Sequence, residues 1–159
     1  MAKEKTQSKD WLSSMLFQGW LGIAIWMSFG VLLEGFLGYK IPGYLNDPQR
    51  RELFRLAHTH GTLLSFVLII AALCAKHFAV EIPAAARAAL RAGTILMPVG
   101  FFLAGVSHSE GDPGLAIWLV PPAALLVIFG AIFIALAIRK RCSAKDSGSS
   151  DRGTSDRAE

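Results

Sequence analysis

Imidazole binds haem iron, copper and zinc, and the chain places His58, His60, His77 and His108 within or beside long apolar runs. Only Glu34, among all Lys, Arg, Asp and Glu residues, lies inside such a run. A charged group at the centre of a membrane helix costs about 2.5–3.5 kcal/mol on insertion scales, so ionisable residues in spans are functional candidates. His58, His60 and His108 are the candidate cofactor ligands, and Glu34, His58 and His108 the candidate metal set. A haem or a transition metal is the cofactor such a set would take. Glu34 and His58 are also suited to exchanging a proton, since histidine titrates near neutrality. His58 and His60 stand two residues apart, about 200° around a helix, so they face different neighbours.

Long membrane helices must position these groups. The 159 residues are 53% hydrophobic and 18% charged, against about 25% charged in a soluble domain. A span of about 20 apolar residues crosses a bilayer. The segments Trp11 to Leu33, Leu56 to Ala75 and Leu115 to Ile138 are uncharged for 23, 20 and 24 residues. The run Ala92 to Ser107 has 16, extended backwards by the Ala-rich stretch from Pro83 to Leu90. The expectation is an all-α, four-transmembrane-helix bundle with spans at about 11–38, 53–75, 86–107 and 115–138, forming one domain over 11–138. The first run exceeds a signal-peptide h-region and lacks a small-residue cleavage pattern, so it reads as a signal anchor.

Basic residues set orientation. Three lysines precede the first span, Lys76, Arg87 and Arg91 lie in the second connection, and six Lys or Arg follow the last span. The opposite side has four, all in the first connection, among them Arg50 and Arg51 with Asp47 and Glu52 as neighbours. Both termini are therefore expected in the cytoplasm: a tail at 1–10, and a Ser-, Asp- and Gly-rich tail at 139–159 of disordered character. A bacterial inner membrane is the expected location, the lipid bilayer the first partner, and a homo-oligomer or larger membrane complex a further one. The net charge of +4 forms no basic stripe with interleaved aromatics, which excludes nucleic acid as a partner.

With this threading, Glu34, His58, His60 and His108 fall toward the extracytoplasmic side, followed there by Glu110 and Asp112; His77 becomes an interfacial anchor on the other side. Asp47-Pro48 reads as a helix N-cap with proline at the first position. Gly22, Trp26, Gly30, Glu34 and Gly38, at four-residue spacing, are expected to form one face turned into the bundle. The second span presents His58, Gly61, Thr62, Ser65 and Ala72, and the third Gly93, Met97, Phe101, Ala104, Gly105 and His108. Pro121 and Pro122 are expected to free the carbonyls of Ile117 and Trp118. No nucleophile–base pair or phosphate-binding glycine loop is present, so no hydrolytic or transfer enzyme is expected. Cys74 and Cys142 are too far apart for a zinc knuckle.

The stretch Leu-Ala-His-Thr-His-Gly-Thr-Leu-Leu (Leu56 to Leu64) resembles haem-ligand helices of the haem-copper oxidase catalytic subunit. That resemblance implies an axial haem ligand at His58 or His60; the partner that topology supplies is His108. The chain as a whole resembles small four-span bacterial membrane proteins with Glu-Gly, His-x-His-Gly and Gly-Asp-Pro-Gly elements, a likeness that implies a fold and no activity. Three functions fit: a haem or transition-metal site in the His/Glu pocket, a structural or accessory subunit in which that cluster is interhelical hydrogen-bond glue, and a proton-relay or transporter component.

Overall fold

The structure, a computed structural model, describes residues 2–109 and 112–155, and side chains within 10–109 and 112–143 except that of Cys142. Five α-helices follow one another: α1 (Ala2–Gly38), the short α2 (Pro42–Leu45), α3 (Pro48–His77), α4 (Ala84–Ser107) and α5 (Val120–Ser155), with a 3-10 turn at Leu115–Leu119 before α5. Four contain segments long and apolar enough to cross a membrane: Asp10–Gly38, Pro48–His77, Ala84–Ser107 and Leu115–Arg141. The described residues contain no strand, and the fold is an all-α, four-transmembrane-helix bundle. The segment after Arg139, expected to be disordered, continues the helix as far as Ser155, and residues 156–159 lie outside the described residues.

The helix starts follow from local chemistry. The Asp47 side chain accepts from the Arg50 amide at 2.9 Å, and Pro48 takes the first helical position, where a missing N–H costs nothing. Pro83 caps α4 from one residue outside it. Before α5 the chain turns at Gly114, whose φ of +73° is a left-handed conformation that glycine tolerates. Its amide donates to Asp112 Oδ1 at 2.8 Å. The 3-10 turn corrects one expectation: the Val120 amide bonds the Ile117 carbonyl, so the prolines at 121 and 122 do not leave that carbonyl free.

The helices pack in chain order, α1 on α3, α3 on α4 and α4 on α5, with light contact between α3 and α5. The two central spans bury 44% of their most apolar window, against 17% for α1 and 11% for α5. The apolar sides of α1 and α5 are thus left for lipid. Glycines set the approach. A methyl group at Gly22 would overlap Ser65, one at Gly30 the His58 ring, and one at Gly61 the Trp26 indole, all across the α1–α3 seam. Gly93 and Gly130 do the same between α4 and α5, and Gly105 makes room for Phe54 of α3. This is the close backbone approach that small residues permit in lipid.

The expected glycine face holds only in part. Gly22, Trp26 and Gly30 lie against α3, while Glu34 is exposed and Gly38 has nothing within reach of an added methyl. A four-residue step advances a helix by about 400°, so each step drifts about 40° and three steps carry Glu34 about 120° from Gly22.

Candidate functional site

Helices α1, α3 and α4 bring their polar groups together at the end of the bundle where α1 and α4 finish and α3 begins. His58, three turns into α3, faces α1, where its Nδ1 donates to the Trp26 carbonyl at 2.7 Å. That carbonyl is the one an α-helix bonds to the amide of residue 30, and its second lone pair receives the imidazole. Glycine at position 30 gives the ring access. His60 points the other way, as the helical angle requires. Its Nδ1 donates to the Leu56 carbonyl at 2.9 Å and its ring lies 5.0 Å from that of Phe101 on α4.

His108 follows the last turn of α4 and its side chain is 5% exposed. Its Nε2 lies 2.7 Å from Asp47 Oδ2, and its Nδ1 3.2 Å from the Gly105 carbonyl. Both nitrogens face acceptors. Asp47 therefore caps α3 with one oxygen and holds the end of α4 with the other. Arg50 completes this clasp: its Nε donates to the Gly105 carbonyl at 3.2 Å, its Nη1 to the Gly43 carbonyl at 3.1 Å, and its Nε stands 3.7 Å from Asp47 Oδ2. The Arg50 amide holds the Asp47 carboxyl below the usual carboxylate range; partial burial opposes this, and the charges and hydrogen bond of His108 and Arg50 support it.

Glu34 and His58 line one cavity of about 700 Å³, shared with Tyr44, Arg51, Arg55 and Thr59 and walled on the α1 side by Met27, Val31, Leu33 and Leu37. Among the described residues Glu34 makes no ion pair or hydrogen bond. The cavity is nonetheless charged. Burial pushes the Tyr44 phenol up, and Arg51, Arg55 and Glu34 all act on it, the arginines lowering it and the glutamate raising it.

The sequence candidates are thus divided among three surroundings. Glu34 and His58 share the cavity, His60 meets Phe101, and His108 meets Asp47. No group of three or more His, Cys, Asp or Glu side chains sits close enough to hold a metal among the described residues. Asp112 pairs its backbone with that of Ser109, and Glu110 lies outside the described residues.

A second polar cluster lies toward the other end. Gln18 of α1 donates through Nε2 to the Arg91 carbonyl at 2.9 Å and to Thr94 Oγ1 at 3.1 Å, and its Oε1 accepts from Arg91 Nε at 2.7 Å. With the Phe29–Phe102 ring contact, 5.3 Å between centroids, it brackets an apolar cavity of about 530 Å³ over α3, floored by Ser65 and Leu68. In the sequence, Arg91 reads only as a topogenic charge and Asp47 only as a cap. The position of Arg91 two turns inside α4 was the available signal for the first. For the second no local signal existed, because the contact depends on where α4 ends.

Compared with known proteins, the chain matches no family model, no curated protein and no solved structure.

Proposed function

We propose that this chain is a structural or accessory subunit of a cell membrane, a bacterial inner membrane with both termini in the cytoplasm, whose polar residues join helices and perform no catalysis. One observation carries the reading: the polar contacts cross between helices, His58 Nδ1 to the Trp26 carbonyl of α1, His108 Nε2 to Asp47 at the start of α3, and Gln18 of α1 to Arg91 of α4. Such contacts make His58 a lock between α1 and α3, His108 and Arg50 a lock between α3 and α4, and Gln18 a lock between α1 and α4. Interhelical hydrogen bonds in membranes are worth about 0.6–2 kcal/mol each, enough to fix the register of helices that hydrophobicity alone leaves free to slide. The charge asymmetry of the connections supports the orientation.

The test is a pair of measurements on protein purified from its native membrane. Absorbance spectra and elemental analysis are expected to show neither a Soret band nor a stoichiometric metal. His58→Ala is expected to lower the unfolding midpoint in detergent, and Glu34→Ala to leave it unchanged. A haem or metal at one per chain, or a neutral His58→Ala, overturns the reading.

A further inference from the structure

The cavity shared by α1 and α3 contains both signs of charge and a wall of hydrocarbon. Arg51 and Arg55, one helical turn apart, lie on the same face of α3 within its first two turns. Glu34 faces the same space from α1, one turn before that helix ends at Gly38. All three charges therefore lie near the end of the bundle, at the level where spans give way to connections. Their own contacts leave them available. Glu34 has no partner among the described residues; Arg51 donates to the Leu45 carbonyl at 3.4 Å, and Arg55 meets Glu52 at 3.6 Å as a pair 68% and 60% exposed. An exposed pair of this kind contributes little and is readily exchanged for a better acceptor.

The wall below the charges is apolar and open. Met27 and Val31 of α1 line the cavity on the inner side of Glu34 and are 52% and 73% exposed, so at this depth they face acyl chains. A ligand that fills the space must carry an anion for the two guanidiniums, a cation for the carboxylate and a hydrocarbon tail for the wall. Planar guanidinium suits phosphate oxygens in particular, because its fork of donors matches them two at a time. A purely anionic headgroup would set its charge against Glu34, and a quaternary ammonium offers the carboxylate no hydrogen bond. A primary ammonium offers three donors. The hydroxyl of Thr59 and the phenol of Tyr44 add donors around the phosphate.

We infer that this cavity binds a zwitterionic aminophospholipid of the phosphatidylethanolamine class, with the phosphate between Arg51 and Arg55, the primary ammonium on Glu34 and an acyl chain along Met27 and Val31. The inference goes beyond the structural role proposed above and does not depend on it, because Glu34 takes no part in the helix locks.

The test reconstitutes the full chain in nanodiscs containing equal parts of phosphatidylethanolamine, phosphatidylglycerol and phosphatidylcholine, and measures retained lipid by native mass spectrometry. The wild type is expected to retain the ethanolamine lipid about two- to fivefold above either of the others, the range that one interfacial ion pair supplies. Glu34→Gln is expected to erase that preference, and the double variant Arg51→Gln, Arg55→Gln to lower retention of all phospholipids, each with an unchanged unfolding midpoint in lipid-free detergent. Equal retention of the three lipids by the wild type, a preference for phosphatidylglycerol, or a preference that survives Glu34→Gln overturns the proposal. Soluble phosphoethanolamine that competes as well as the lipid overturns the assignment of a lipid.

Discussion

Replacing Gly30 by alanine tests the α1–α3 seam most directly. The new methyl would overlap the His58 ring, with Nδ1 at 2.6 Å and Nε2 at 2.9 Å. The ring cannot move aside and still reach the Trp26 carbonyl, because both lie across the same residue. Overpacking of this kind costs about 1–3 kcal/mol. Losing the imidazole–carbonyl bond adds about 0.6–2 kcal/mol, and the better helix propensity of alanine returns up to about 1 kcal/mol. The net expectation is a loss of about 1–4 kcal/mol. Gly35, on the same helix, has nothing within 4 Å of an added methyl, so Gly35→Ala should be neutral or stabilising by up to about 1 kcal/mol. The assay is reversible unfolding in mixed detergent micelles followed by circular dichroism, carried out as a double-mutant cycle with His58→Ala. In the His58→Ala background the cost of Gly30→Ala should largely vanish, since the atoms it strikes are gone. Equal costs in both backgrounds would refute the seam as described.

Three further outcomes follow from the clasp, the inner cluster and the turn before α5. Because the Asp47 carboxyl is held below its ordinary value, its contribution to stability is complete above the unfolded value of about 3.9 and fades as pH falls through the lower folded value. An acid titration of the unfolding midpoint should show this loss below about pH 4, and Asp47→Asn, which keeps a capping side chain, should flatten that part of the profile. Gln18→Leu should destabilise by about 1–3 kcal/mol by leaving the Arg91 Nε without its acceptor, and in the same unfolding assay Gln18→Glu should recover only part of the loss, because its second oxygen would face the Arg91 carbonyl to which Nε2 donates. Gly114→Ala, which forces a β-carbon into a φ of +73° with ψ of 171°, should cost about 1–3 kcal/mol and should lower the midpoint with no change in helix content.

Much of the fold was legible because it depends on chain-local quantities. Run length gives the four spans, Asp47-Pro48 marks the start of α3, and the helical angle separates His58 from His60. The candidate site was less legible for reasons that are equally physical. A four-residue ladder looks like a face over two steps and drifts away by the third, which is why Glu34 leaves the seam that Gly30 occupies. His108 was placed at the correct end of the bundle, but its neighbour depends on how α4 finishes beside α3. Nothing local to Asp47 distinguishes a carboxylate that only caps from one that also reaches another helix. The Ile117 carbonyl was misread because proline removes one donor without preventing a tighter turn from supplying another.

α1 and α5 each dress a different side of the α3–α4 pair. They meet in one buried cluster, where Met15 of α1, Leu90 of α4 and Val127 and Ile134 of α5 pack together, and Gly30 with its neighbour His58 lies outside it. Gly30 at one seam and Gly130, whose added methyl would strike Leu90, at the other should therefore behave as independent faults whose penalties simply add.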